Sequence, residues 1–231
     1  MVKEKIAAIC HFTSSSEKRP IVYQKQLNEL TDFAESLGYN VTEVFCDKTL
    51  RRCERSEFER FLGSADNFDA LITKDFYHIS KNTMKCMNIM QELLHKGVTI
   101  HSIENGSFTF EDTPLDKPLR VVTYTTHWGK PNEIKQVIPV KNDVMKLFIN
   151  KKSSWQLIDQ YFDETEHQND GEQINLKELI HNKDNYDLLL VQNLNDIHWR
   201  TANFCKIREQ LQMDIYSLQD GFLRYKGATI K

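Results

Sequence analysis

The sequence predicts an α/β protein of two lobes, each a mostly parallel sheet of four to five strands flanked by helices. Three observations carry that expectation. A long stretch occurs twice, as DALITKDFYHISKNTMKCMNIMQELLHKGVTIHSIENG at residues 69–106 and DLLLVQNLNDIHWRTANFCKIREQLQMDIYSLQDG at residues 187–221. Each copy opens on an aspartate and a short apolar run (Ala70, Leu71, Ile72; Leu188, Leu189, Leu190, Val191), the pattern of a strand covered on both faces. Strand-like and helix-like segments then alternate along the chain, which favours parallel strands with helices packed over them. The repeat reads as a tandem duplication with lobe 1 at 1–110, a short Pro-containing linker at 111–118 and lobe 2 at 119–231.

In order, Lys5–Cys10 forms the first predicted strand and His11–Ser16 a polar loop. From Gln26, the residues Leu27, Leu30, Phe33, Ala34 and Leu37 fall at helical spacing and stop at Gly38, a good helix terminator. Val41–Phe45 alternates as a strand, Asp47–Glu54 reads as a mobile loop, and Ser56 precedes a helix carrying Phe58, Phe61 and Leu62. The repeated unit completes the lobe. In lobe 2, Leu119–Tyr124 is the matching first strand, followed by a helix through Val144, Leu147, Phe148 and Ile149. Trp155–Phe162 is a strand, Asp163–Glu172 an acidic mobile loop, and Leu176–Ile180 a helix leading into the second repeat. Ligands of such sheets gather at the carboxyl ends of the strands, here His11–Ser16, Arg51–Arg55 and Phe76–Lys81 in lobe 1.

Composition narrows the function. Hydrophobic residues make up 40% and charged residues 27%, as in soluble globular proteins, and no apolar run is long enough to span a bilayer. Five cysteines without CxxC spacing predict reduced thiols in a cytoplasm and no metal site, and the lack of GxGxxG or GxxxxGK[ST] predicts no nucleotide cofactor. The net charge of −3 provides no global attraction to nucleic acid.

Lobe 1 resembles the catalytic domain of the serine recombinases, the resolvase/invertase family. The resemblance runs through Gln26–Leu30, Gly38 with Tyr39, Asp47 with Lys48, Arg55, Phe76–Lys81 and Gly97–Gly106, which follow the family's ordered motifs. It implies two degenerate resolvase-like lobes of bacterial, phage or mobile-element origin, related to DNA recombination. The chemistry implied by the family needs a serine nucleophile and several arginines that hold phosphoryl oxygens bidentately. Here His11, Phe12 and Thr13 stand where the family has Arg-Val-Ser; a one-residue shift puts Ser14 at the nucleophile and Phe12 at the arginine. The later motif's two arginines become His78 and Lys81 and its aspartate becomes Tyr77, while Arg55 and Gln26 are kept. Lysine lacks the guanidinium fork, so the lobe is expected to be catalytically dead.

Several readings stay open at this stage. If lobe 1 retains activity, Thr13 or Ser14 is its nucleophile, assisted by Arg55 and Lys81. A residual phosphate or DNA-backbone pocket would use His11, Gln26, Arg55, His78 and Lys81. The bland alternatives are loop hydroxyls, and surface arginines paired with Glu54, Glu57 and Glu59. In lobe 2 the nucleophile position is expected at Trp128, its arginine at Thr126, and the later arginines at Asp196 and Trp199, a set unfit for strand transfer. His127, Trp128, His198 and Trp199 then form either ordinary packing or a surface for a protein partner. The leading expectation is a non-catalytic binding protein that regulates or inhibits a recombinase or another nucleic-acid enzyme. A weakly active strand-transfer enzyme and a scaffold module, oligomeric or not, are the alternatives. DNA contact is expected to be weak and membrane contact absent.

Overall fold

The computed structural model describes residues 5–13, 20–48, 55–108, 117–165 and 173–225. The chain divides into two compact units, the first holding strands β1–β5 and the second β6–β10. In the first, β1 (Ile6–Thr13), α1 (Pro20–Ser36), β2 (Asn40–Lys48), α2 (Ser56–Ser64), β3 (Ala70–Thr73), α3 (Thr83–His95), β4 (Thr99–Ser102) and β5 (Gly106–Phe108) follow in order. In the second come β6 (Leu119–Trp128), α4 (Pro131–Asn150), β7 (Trp155–Thr165), α5 (Ile174–His181), β8 (Leu188–Val191), α6 (Thr201–Leu211), β9 (Asp214–Ser217) and β10 (Gly221–Leu223).

Both sheets have five strands in the same order, β2-β1-β3-β4-β5 and β7-β6-β8-β9-β10. Four strands run parallel and the last is antiparallel. The correspondence extends to irregularities: the register slips between Ala7 and Ala8 in lobe 1 and between Val121 and Val122 in lobe 2. Asp69 and Asp187 each accept the amide at the start of the central strand, from Ile6 and Arg120, at 2.8 Å.

The core forms where the apolar runs predict it. Ala7, Ile9, Ala70 and Ile72 pack under Leu30 and Ala34 of α1, and Val121, Leu188 and Leu190 pack with Met145 and Ile149 of α4. On the other face of lobe 1, Phe45 meets Phe61 edge-on at 5.4 Å. α1 ends as expected at Gly38, whose φ of +81° lets the Tyr39 amide reach back to the Ala34 carbonyl at 3.0 Å. Among the described residues no helix is long and apolar enough to cross a membrane.

Four sequence expectations need correction. The helix expected from Gln26 begins at Pro20, whose fixed φ suits a first turn. His11, Phe12 and Thr13 are strand rather than loop, because β1 stays paired with β2 as far as Thr13↔Lys48. Asp47 and Asp163, expected in mobile loops, are buried strand residues near the ends of β2 and β7. Their carboxylates cap the next helix: Asp47 accepts the amides of Glu57 and Phe58 at 2.9 and 3.1 Å, and Asp163 those of Asn175 and Leu176 at 3.0 Å each. At each helix start, two donors that lack intrahelical partners thus meet a carboxyl group. The antiparallel strands β5 and β10 are short, and neither appears in the strand pattern read from the sequence.

Candidate functional site

The topology opens a crevice in each lobe. β1 pairs with β3 only up to Ile9↔Ile72, and β6 with β8 only up to Thr123↔Leu190, yet both central strands continue, bonded to β2 or β7 alone. These carboxyl ends lie where strand order reverses, the position at which open α/β sheets bind ligands.

In lobe 1 the crevice collects His11, Phe12, Gln26, Arg55 and His78. His11 is 2% exposed, and its Nε2 lies 2.9 Å from Gln26 Oε1 of α1. Its ring stacks on His78 with centroids 5.8 Å apart, and Phe12 lies 5.4 Å from His78. His78 ends a short 3₁₀ turn, Phe76–His78, capped by Asp75, whose Oδ1 accepts the His78 amide at 3.0 Å and lies 2.9 Å from its Nδ1. Burial tends to raise the Asp75 carboxyl, but contact with His78 and its charge overcome this and hold it below the usual aspartate value.

Arg55, the arginine retained from the family motif, does not face an open pocket. Its guanidinium donates to the carbonyls of Ile79 and His78, the latter at 2.6 Å. It lies between the rings of Phe12 and Phe58, 4.7 and 4.1 Å from their centroids. Desolvation lowers its pKa from the ordinary arginine value, offset by the Asp47 carboxylate. Arg55 therefore ties the 3₁₀ turn to the start of α2. This overturns its reading as a solvated surface arginine. Lys81 is exposed, with its ammonium 5.5 Å over the Tyr77 ring. Thr13 ends β1; Ser14 and the Arg51–Glu54 stretch lie outside the described residues.

Lobe 2 fills the same place differently. The strand registers align His11 with Thr125 and Phe12 with Thr126, since Phe12 pairs with Asp47 and Thr126 with Asp163. The nucleophile position therefore falls on His127 and the arginine position on Thr125, one residue before the expected Trp128 and Thr126. The bulge before Ala8 and Val122 fixes this register. At the position of His78 stands Asp196, and at that of Gln26 stands Lys141 of α4. Lys141 Nζ donates to Asp196 Oδ1 at 2.8 Å and to the Thr126 carbonyl at 3.0 Å, with side chains 16% and 5% exposed. Burial raises the Asp196 carboxyl, and Lys141 pulls it back down. Gln173 takes the place of Arg55, donating to the Ile197 carbonyl at 2.8 Å and to the Tyr124 hydroxyl at 3.1 Å. Tyr124 in turn donates to Asp163 at 2.9 Å, and burial next to that carboxylate pushes its pKa up.

Of the four aromatic and imidazole residues singled out in lobe 2, His198 and Trp199 stack at 6.4 Å. His198 Nδ1 accepts the Arg200 amide at 2.9 Å, and its Nε2 lies 3.0 Å from Asn203 Nδ2. Burial and then the charge of Arg200 lower its pKa. Arg200 covers the Trp199 ring at 4.6 Å. His127 is half-buried near the end of β6, and Trp128 is the last residue of that strand. Among the described residues no cluster of three or more His, Cys, Asp or Glu could hold a metal ion. Sequence reading missed Asp75, Lys141 and Gln173; the spacing Asp75-x-x-His78 repeated as Asn193-x-x-Asp196 was the available signal for the first.

Comparison with known proteins bears mainly on lobe 1, the family match running on into β6. Residues 13–124, just under half of the chain, match the family model of the resolvase N-terminal domain. Among solved structures, the N-terminal catalytic domain of TP901-1 integrase is 19% identical, with 42% of this chain and 76% of that one covered at a TM-score of 0.37. Caulobacter myo-inositol binding protein bound to myo-inositol is 13% identical, covering 92% of this chain and 74% of that one at 0.29. LsrB from Clostridium saccharobutylicum in complex with AI-2 is 12% identical, covering 92% and 70% at 0.28. No curated protein matches. Structural likenesses at these TM-scores carry no weight, and the relationship rests on the family match. Residues 13–124 are thus similar to the resolvase N-terminal domain.

Proposed function

We propose that this protein is a non-catalytic, internally duplicated relative of the serine recombinases that acts by binding, regulating or inhibiting a recombinase or another nucleic-acid enzyme. The observation that carries this reading is Arg55. The arginine retained from the family's set donates to the His78 and Ile79 carbonyls, which leaves its fork directed at the protein's own backbone. Strand transfer draws its rate from donors preorganised around the phosphoryl oxygens, each worth about 2.7–4 kcal/mol. A guanidinium engaged by carbonyls and two imidazoles in place of arginines do not supply that field. The Lys141–Asp196 pair likewise neutralises lobe 2's crevice from within.

The test is covalent capture. The full chain is incubated with a pool of supercoiled plasmids, denatured, and assayed for protein-linked DNA. The expected result is no adduct. An adduct that disappears in Thr13→Ala or Ser14→Ala would overturn the proposal in favour of a residual strand-transfer enzyme. Affinity capture from the native host, with and without nuclease, tests the partner: a nuclease-resistant recombinase or nucleic-acid enzyme is expected. Recovery of DNA alone, lost in Lys81→Ala, would instead support a DNA-binding role.

A further inference from the structure

The two lobes contain an internal control for what this fold demands of its first helix. α1 and α4 bury matching positions, Leu30 with Met145 and Ala34 with Ile149. On that alignment, the outward positions Lys25, Glu29 and Asp32 of α1 correspond to Val140, Val144 and Leu147 of α4. The fold accepts charge at these places in lobe 1. In lobe 2 it carries large apolar side chains that are 62%, 42% and 62% exposed. At about 100° per residue, the three fall within an arc of roughly 60°, well away from the buried line of Ile138, Met145 and Ile149.

The stripe is self-complementary. Glu133, whose Oε2 accepts the Lys130 amide at 3.3 Å in the first turn, and Lys151, the C-cap residue, are both exposed and stand one at each end of the stripe. Two copies of α4 related by a two-fold axis at the level of Asn142 would run antiparallel. Val140 then faces Val144 of the second copy, the half-buried Val137 faces Leu147, and Glu133 faces Lys151. The antiparallel arrangement also sets opposed helix dipoles side by side, and a two-fold interface satisfies each contact twice.

We propose that α4 is a self-association seam on which a second copy of this chain packs antiparallel through Val140, Val144 and Leu147, locked in register by Glu133 and Lys151. A seam of about 27 Å of helix falls short of the roughly 800 Å² per partner of standard interfaces. The dimer is accordingly weak, with a dissociation constant of the order of tens of micromolar.

Sedimentation equilibrium of the full chain from about 5 to about 300 μM tests it, with far-UV circular dichroism reporting the fold of each variant. Wild type is expected to pass from monomer to dimer over that range. Leu147→Asp should raise the midpoint at least about tenfold. Glu133→Lys and Lys151→Glu should each weaken the dimer, and the double exchange should restore it, a recovery that a merely sticky surface would not give. A wild-type monomer throughout, a dimer indifferent to Leu147→Asp, or a double exchange no better than the singles would overturn the proposal. So would a chain that stays monomeric while the stripe binds anionic phospholipid vesicles or another protein.

Discussion

Arg55 gives the sharpest separation between an arginine kept for phosphate and one kept for the fold. Replacing it with alanine removes two hydrogen bonds from a charged donor to the carbonyls of His78 and Ile79 and a cation held between Phe12 and Phe58. Hydrogen bonds to charged groups contribute about 1.5–3 kcal/mol each, and the stacked cation about 0.5–1 more. Because Arg55 is partly solvated, the lower end applies, and Arg55→Ala should cost about 3–4 kcal/mol. Lobe 2 supplies the conservative replacement: Gln173 already makes the equivalent bond to the Ile197 carbonyl. Arg55→Gln should therefore keep one neutral bond, worth about 1 kcal/mol, and cost about 2–3 kcal/mol. With a urea slope of about 1–1.5 kcal/mol/M, Arg55→Ala lowers the midpoint of unfolding by roughly 2–4 M and Arg55→Gln by about 1 M less. Far-UV circular dichroism follows the transition, and hydrogen exchange of peptides covering β1 and the Phe76–His78 turn localises the loss. The three tryptophans, 128, 155 and 199, all lie in lobe 2, so their fluorescence serves as an internal control. An alanine cost below about 0.5 kcal/mol, or glutamine no better than alanine, would refute the strut and return Arg55 to the ligand-binding residues.

Four further outcomes follow from the geometry. Asp163→Ala should destabilise by about 3–5 kcal/mol and Asp47→Ala by somewhat less in urea unfolding, because Asp163 accepts the Tyr124 hydroxyl in addition to two helix amides. Asp196→Asn or Lys141→Met alone should each cost about 3–5 kcal/mol by leaving the other group buried without its counter-charge, while the double variant should recover most of the loss in a double-mutant cycle. His198 and His101 both have pKa values lowered by burial from the ordinary 6.5, so the folded state favours their neutral forms. Their stability contribution is complete above that value and is lost as pH falls through the lower folded values, and His198→Gln with His101→Gln should flatten the drop in melting temperature below pH about 6.5. Gln212 ends α6 with φ of +52° where α3 ends on Gly97 at +81°, so Gln212→Gly should raise stability by up to about 1 kcal/mol in thermal unfolding, less whatever its bond to Lys183 contributes.

Strands buried on both faces, helices of 3.6-residue period and the repeated segment made the α/β class legible, because burial imposes a pattern on composition that survives sequence drift. The site was legible only in part. His11, Gln26 and His78 were found through the resemblance, and they do converge. What Arg55 touches was not legible, since its partners are backbone carbonyls and any sequence supplies those. Asp47 and Asp163 looked like loop residues because both are followed by polar, charged stretches; their burial comes from a strand that stays paired to its edge neighbour two or three residues beyond its apolar part. Lys141 lies 55 positions from Asp196, so no local spacing could join them. The one-residue offset that moved the nucleophile position from Trp128 to His127 came from alignment by composition at a strand end, where only the register of pairing with β7 is decisive.

The two crevices resolve one electrostatic problem by different routes. A site built to bind phosphate concentrates positive charge in a low-dielectric cleft, and such a cluster is self-repulsive whenever the anion is absent. An enzyme tolerates that cost because the charge stabilises its transition state. Lobe 1 stacks one histidine on another and directs Arg55 toward carbonyl dipoles. Lobe 2 retains a cation, Lys141, and introduces Asp196 at the position corresponding to His78, giving a neutral pair with side chains mostly out of water. The crevice side chains of both lobes are tied by hydrogen bonds to the strand ends, the helix starts and the 3₁₀ turns, while Arg55 Nε stays buried without a hydrogen-bond partner.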